Sequence, residues 1–152
     1  MTYTTVEGRQ KVLADLAISI EQIAVALAAL GEAYEQLDEQ TADVLEARLF
    51  RPVQLAYGRA KRTHSDFAAR SGLPGASFPA QGPGPQSQSV QTLIDRAVLA
   101  AGHADDSISE LQDSMLPVEV GDPELRAGLS QVRESLSLLP NRARELVRTV
   151  GR

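Results

Sequence analysis

The chain lacks cysteine and tryptophan altogether, and only 4% of its 152 residues are aromatic. Without cysteine it can hold no disulfide framework, thiolate zinc site, iron–sulfur cluster or thiol nucleophile. Histidine is nearly as scarce, with only His64 and His103. Ferritin-like and hemerythrin-like centres need Glu-x-x-His pairs, because carboxylates and an imidazole one turn apart must converge on each metal. No such pair occurs, and neither GxGxxG nor GxxxxGK[ST] is present to cradle a phosphate, so no cofactor is expected.

Positive charge is also in deficit. Twenty acidic residues stand against 15 basic ones, a net charge of −5 that disfavours nonspecific adhesion to nucleic acid or anionic lipid. The apolar stretch from Leu16 to Leu30 is interrupted by Glu21 and Gln22 and is shorter than the ~20 residues of a membrane span. No membrane segment is expected from it. The opening MTYTTVEGRQ has no basic-then-apolar-then-small layout, so the expected location is cytoplasmic.

What the sequence does have is helical periodicity. Leu13, Leu16, Ile20, Ile23, Leu27, Leu30, Tyr34 and Leu37 follow the alternating three-and-four step of a coiled-coil seam. Val90, Ile94, Ala97, Ala101, Ala104, Ile108, Leu111 and Met115 repeat it. So do Leu125, Leu129, Val132, Leu136, Leu139, Ala143, Leu146 and Val150. A weaker seam runs through Phe50, Val53, Tyr57, Ala60, His64 and Phe67. Alternating apolar–polar runs are missing, so the expected class is all-α: two antiparallel helical hairpins forming a four-helix bundle or coiled-coil-like assembly.

Between the seams, residues 72–89 read GLPGASFPAQGPGPQSQS, in which Gly, Pro, Ser and Gln supply 14 of 18 positions. Such a stretch predicts a flexible linker with a mean reach of about 25 Å. It separates an N-terminal unit, 4–71, from a C-terminal hairpin, 90–151. The first unit is either a hairpin or one long helix kinked near Pro52, because residues 34–44 contain neither Gly nor Pro. Charge follows the same division: −7 over 1–46, +5 over 47–71, −7 over 90–124 and +4 over 125–152. Opposite charges flanking the seams favour antiparallel pairing within each hairpin or between them.

Helix starts are signalled by Thr4 with Glu7 as a capping box, by Asp38 or Thr41, by Ser89, and by Asp122-Pro123-Glu124. Pro117 and Gly121 are expected to close the helix before Asp122.

Few side chains suggest chemistry. His64, in RTHSDF, is read as a packed or hydrogen-bonding residue, since Ser65 and Asp66 would point to other helix faces. His103, in AGHADDS, is followed by Asp105 and Asp106, whose charge is wrong for a phosphoacceptor histidine. The acids Glu32, Glu35, Asp38, Glu39 and Asp43 describe a solvated helix end. Tyr34-Glu35-Gln36-Leu37-Asp38 resembles the Tyr-x-x-x-Asp/Glu signal on helical-hairpin substrates of actinobacterial-type secretion systems, and Tyr3 to Glu7 has the same spacing. The resemblance covers five residues, and that family's Trp-x-Gly turn is absent.

The expected function is a non-enzymatic scaffold or protein–protein interaction module with a protein partner or its own copies. Its interaction seam would run through Leu13, Leu16, Ile20, Ile23, Leu27, Leu30, Ile94, Ile108, Leu111, Leu125, Leu129, Val132, Leu136 and Leu146. One alternative is a small-molecule or metal-binding bundle whose cavity is lined by His64, Tyr57 and nearby acids. A second is a nucleic-acid-associated protein using the basic segment 48–70.

Overall fold

The computed structural model describes residues 5–82, 84–85 and 88–150, Val150 by its backbone alone. The expectations placed on Tyr3 and Thr4 lie outside these residues, as does the Val150 side chain. All regular structure among the described residues is helical. Helix α1 spans Thr5–Glu35, α2 Glu39–Leu45, α3 Arg51–Arg70, α4 Val90–Asp113, α5 Leu116–Glu119, α6 Pro123–Ser137 and α7 Leu139–Val150. A π-helical turn, Glu46–Phe50, joins α2 to α3 without a break.

The ambiguity at residues 34–44 resolves into two helices. Gln36 and Leu37 close α1 with backbone bonds to Ala33 and Tyr34, and the Asp38 carboxylate then accepts from Thr41 N–H to start α2. A hydrogen bond from the Thr41 side chain, and after it the one from Thr41 N–H, hold the Asp38 carboxyl below its usual value. Pro52 leaves a helical run in place instead of ending it. Its missing N–H and bulky ring would conflict with the Arg48 carbonyl one turn back, and the π turn loosens the helix there, with Arg51 N–H reaching Glu46. The Arg48 carbonyl instead accepts from Arg142 Nη1 at 3.3 Å. Pro140 acts differently: α6 ends at Ser137, and α7 resumes at Leu139 after a one-residue interruption.

The expected caps at Ser89 and Asp122 are formed, their side chains accepting from Thr92 and Leu125 N–H. The end of α4 differs from expectation. Met115, with φ of 63°, turns the chain after Asp113, while Pro117 opens the short α5 and Gly121 closes it. Met115 is consequently exposed instead of lying in the seam.

The helices pack as a bundle, and the most extensive pairings, α1 on α4 and α3 on α6, run between the two halves of the sequence. Gln36 Nε2 donates to the Gln88 carbonyl at 3.1 Å, so the end of α1 meets the start of α4. At the other end, Lys11, Asp15 and Ile18 share a groove with Ser107, Glu110 and Ser114. The two helices are therefore antiparallel. So are α3 and α6, since Arg70 at the end of one binds Asp122 at the start of the other. Arg48 meets Glu145 in the same register, which shows that the helical path survives the interruption before Pro140.

Seam residues fill one core shared by both halves. Thirteen of the fourteen residues of the expected interaction seam are buried within the chain itself; Leu27 is only half-buried. In α1 the buried set is wider than one seam, adding Val12, Ala26, Ala29 and Ala33, because this helix packs against both α4 and α3. By length and composition α1 is apolar enough to cross a membrane, which corrects the shorter reading from Leu16 to Leu30. Half of that apolar window is buried in the bundle.

Residues 72–89 connect opposite ends of the bundle. His64, six residues before the end of α3, lies beside Leu13, whereas Gln88, just before α4, meets Gln36, about 35 Å farther along α1 at 1.5 Å per residue. This exceeds the mean reach of a free chain of that length, roughly 25 Å. Leu73 and Phe78 pack on the core, Gly84 lies against the Arg96 guanidinium, and Gln88 is held by Gln36.

Candidate functional site

With the seams consumed by the core, what remains for recognition is what the helices turn outward. Among the described residues, Leu99 is the most exposed of the large apolar side chains, at 62%. Its helix faces inward through Ile94, Ala97, Ala101, Ala104 and Ile108, and Leu99 lies off that stripe. Helix α7 packs beside it, burying Leu139, Ala143 and Leu146. The two helices leave a groove of about 530 Å³ lined by Asp95, Val98, Leu99, Pro140, Ala143, Arg144, Val147 and Arg148. Its floor is apolar, α4 contributes a carboxylate to one wall, and α7 contributes two guanidinium groups to the other. Arg144 contacts Asn141.

His103 stands one turn beyond Leu99 on the same outward stripe and is exposed. His64 is placed oppositely. It is 3% exposed, its Nδ1 has no hydrogen-bond partner, and the Phe78 ring meets it edge-on at 5.2 Å. Burial pushes its pKa below the ordinary imidazole value, opposed by a hydrogen bond to the Leu13 backbone. Tyr57 is half-buried, with Lys61 Nζ 4.2 Å from its ring centre. The three residues are not gathered: His64 turns toward α1 and the connecting segment, Tyr57 carries the lysine of its own helix, and His103 faces outward from α4. Among the described residues, no three His, Asp or Glu side chains cluster at metal-ligating spacing.

Basic residues of segment 48–70 are drawn into the fold. Arg70 grips Asp122 through two bonds of 2.8 and 2.9 Å and reaches Glu124 at 2.9 Å. The pairing raises the guanidinium's pKa and lowers that of Asp122. Arg48 pairs with Glu145, and Arg59 donates to Ser135. Arg133 likewise bonds Asp105 and Gln112, tying α6 to α4. Tyr34 lies in the last turn of α1 while Asp38 caps α2, so the Tyr-x-x-x-Asp segment bridges a turn instead of continuing one helix.

The groove was missed because Leu99 looks like noise in a seam that already has its full complement of apolar positions. The available signal was its phase: it falls with Asp95 and His103, one turn either way, on a face that should be polar. Set against family models, curated proteins and solved structures, the chain matches none. Fold and surface together define an all-helical bundle with an outward apolar groove between α4 and α7.

Proposed function

We propose that the protein is a non-enzymatic interaction module that binds another protein chain through the α4–α7 groove. The observation that carries this reading is Leu99. A leucine left 62% exposed beside Val98, Pro140, Ala143 and Val147 holds apolar surface in water, and covering it is favourable by roughly 25 cal/mol per Å². Charged groups of both signs border it, the layout of an apolar contact with a polar rim. The remaining strong polar contacts, Arg70 with Asp122 and Arg133 with Asp105, join helices to one another, which suits a scaffold.

Native mass spectrometry of the protein purified from its own host, beside a Leu99→Glu variant, tests the reading. The expected result is added protein mass on the wild-type chain that disappears in the variant while helicity is unchanged. Identical spectra for both would remove it.

A further inference from the structure

We infer that the outward face of α4 joins two copies of this chain, packed antiparallel about a two-fold axis at Leu99, with Asp95 of each protomer against the partner's His103. This rests on the interaction reading above and names the partner.

The argument is one of spacing and charge. In an isologous contact, residue i meets j and j meets i. Antiparallel helices crossing at Leu99 bring together residues equally far to either side of it. Asp95 and His103 are each four residues from Leu99, so a carboxylate faces an imidazole N–H twice over. Thr92 and Asp106 are each seven residues away and form the next such pair, a hydroxyl facing a carboxylate. The Thr92 oxygen already accepts from Ser89 Oγ at 2.8 Å, which leaves its own proton to donate. All of these side chains are exposed, and no ion pair reaches Asp95, His103 or Asp106 among the described residues. Gly102, exposed and with open space where a Cβ would stand, lets a second helix come close beside Leu99. The leucines of the two copies then meet on the axis and cover one another, beside the groove floor formed by Val98, Ala143 and Val147.

A parallel pairing would instead set Asp95 against Asp95 and Asp106 against Asp106. The antiparallel register removes both repulsions, which matters for a chain whose net charge of −5 opposes self-association.

Sedimentation equilibrium of the full chain over a broad micromolar range tests this. The wild type is expected at twice 16.3 kDa, and Leu99→Glu at the monomer mass with unchanged helicity. Asp95→Arg and His103→Asp should each weaken the dimer roughly 10-fold, and the two together should restore most of the loss, as a charge-swapped pair does. Because the chain has no cysteine, Leu99→Cys with a short bis-maleimide should yield one covalent dimer, whereas Leu55→Cys, exposed on α3, should not. A monomeric wild type at every concentration overturns the inference. So does a dimer indifferent to Leu99→Glu, or one in which the double swap rescues nothing. If the wild type is monomeric but Leu99→Glu still removes a host protein from the native spectrum, the dimer falls and the interaction reading stands.

Discussion

Where α1 meets α4, the antiparallel register puts Ile20 and Ile23 level with Ala101 and Ala104, so branched side chains on one helix face small ones on the other. Where α3 meets α6, Thr63 closes on Gly128, Arg59 reaches Ser135, and Arg70 clamps Asp122 and Glu124. The first contact is apolar along most of its length and depends on burial. The second depends on fit and on polar pairs at its edges. Apolar contacts tolerate substitution in proportion to buried volume, while a contact at a glycine fails on a single added carbon.

The largest expected effect comes from putting charge into the shared core. Leu136→Asp buries an unpaired carboxylate beneath α6 and should cost more than ~4 kcal/mol, enough to abolish cooperative unfolding by circular dichroism. Leu27→Asp is the sharpening control. It occupies the same phase of its own seam but is only half-buried, so a loss of about 1–2 kcal/mol is expected in urea titration. Equal losses at the two positions would mean that burial does not rank them, and the contrast drawn from the packing would fail.

Gly128→Ala probes the second contact. A Cβ there would overlap Thr63 Oγ1 and lie 2.8 Å from Thr63 Cγ2. Thr63 cannot swing aside freely, because it is β-branched and its hydroxyl donates to the Arg59 carbonyl at 2.7 Å. An overpacking loss of about 1–3 kcal/mol is expected in the urea midpoint, partly recovered by adding Thr63→Ala. A mutation of this type at half-buried Gly58, where nothing stands within 4 Å of the added carbon, should be neutral or stabilising because alanine favours the helix.

How much of this the sequence disclosed follows the same division. The apolar seams were readable because period 3.6 is written in residue types, and so were the caps at Ser89, Asp38 and Asp122, whose bonds reach only three residues along the chain. Which helix pairs with which was not readable. Eighteen residues of linker can return the chain to the same end of the bundle or cross its length, and only the stretch from Leu13 to Gln36 shows the crossing. Gly128 was invisible because its role depends on Thr63, sixty-five positions away. Pro52 and Pro140 look alike as letters, yet one is absorbed by a π turn whose freed carbonyl finds Arg142 and the other interrupts its helix. Leu99 was hidden by its own seam. His103 was visible, but its pairing with Asp95 across a two-fold axis needed the outward face to be known.

The smallest effect is the pH dependence at His64, where α3 meets α1 and the connecting segment. Burial holds the imidazole below its usual 6.5, and the Leu13 backbone only partly offsets this. As pH falls, the unfolded chain therefore takes up this proton before the folded one does. The contribution is fully present above about 6.5 and is lost as pH drops from there toward the lowered folded value. Asp122 titrates separately: its carboxyl is held below 3.8, chiefly by Arg70, so its contribution is complete above that value and fades only in more acid solution. Urea midpoints between pH 7.5 and 5.5 should accordingly decline for the wild type and flatten for His64→Leu. Phe78→Ala separates the cause. If the ring lying edge-on at 5.2 Å helps keep water from His64, removing it should move the histidine's NMR titration up toward 6.5 and flatten the same decline. An unmoved titration would mean that α1 and α3 alone exclude the water, and that the connecting segment does not help set the imidazole's charge.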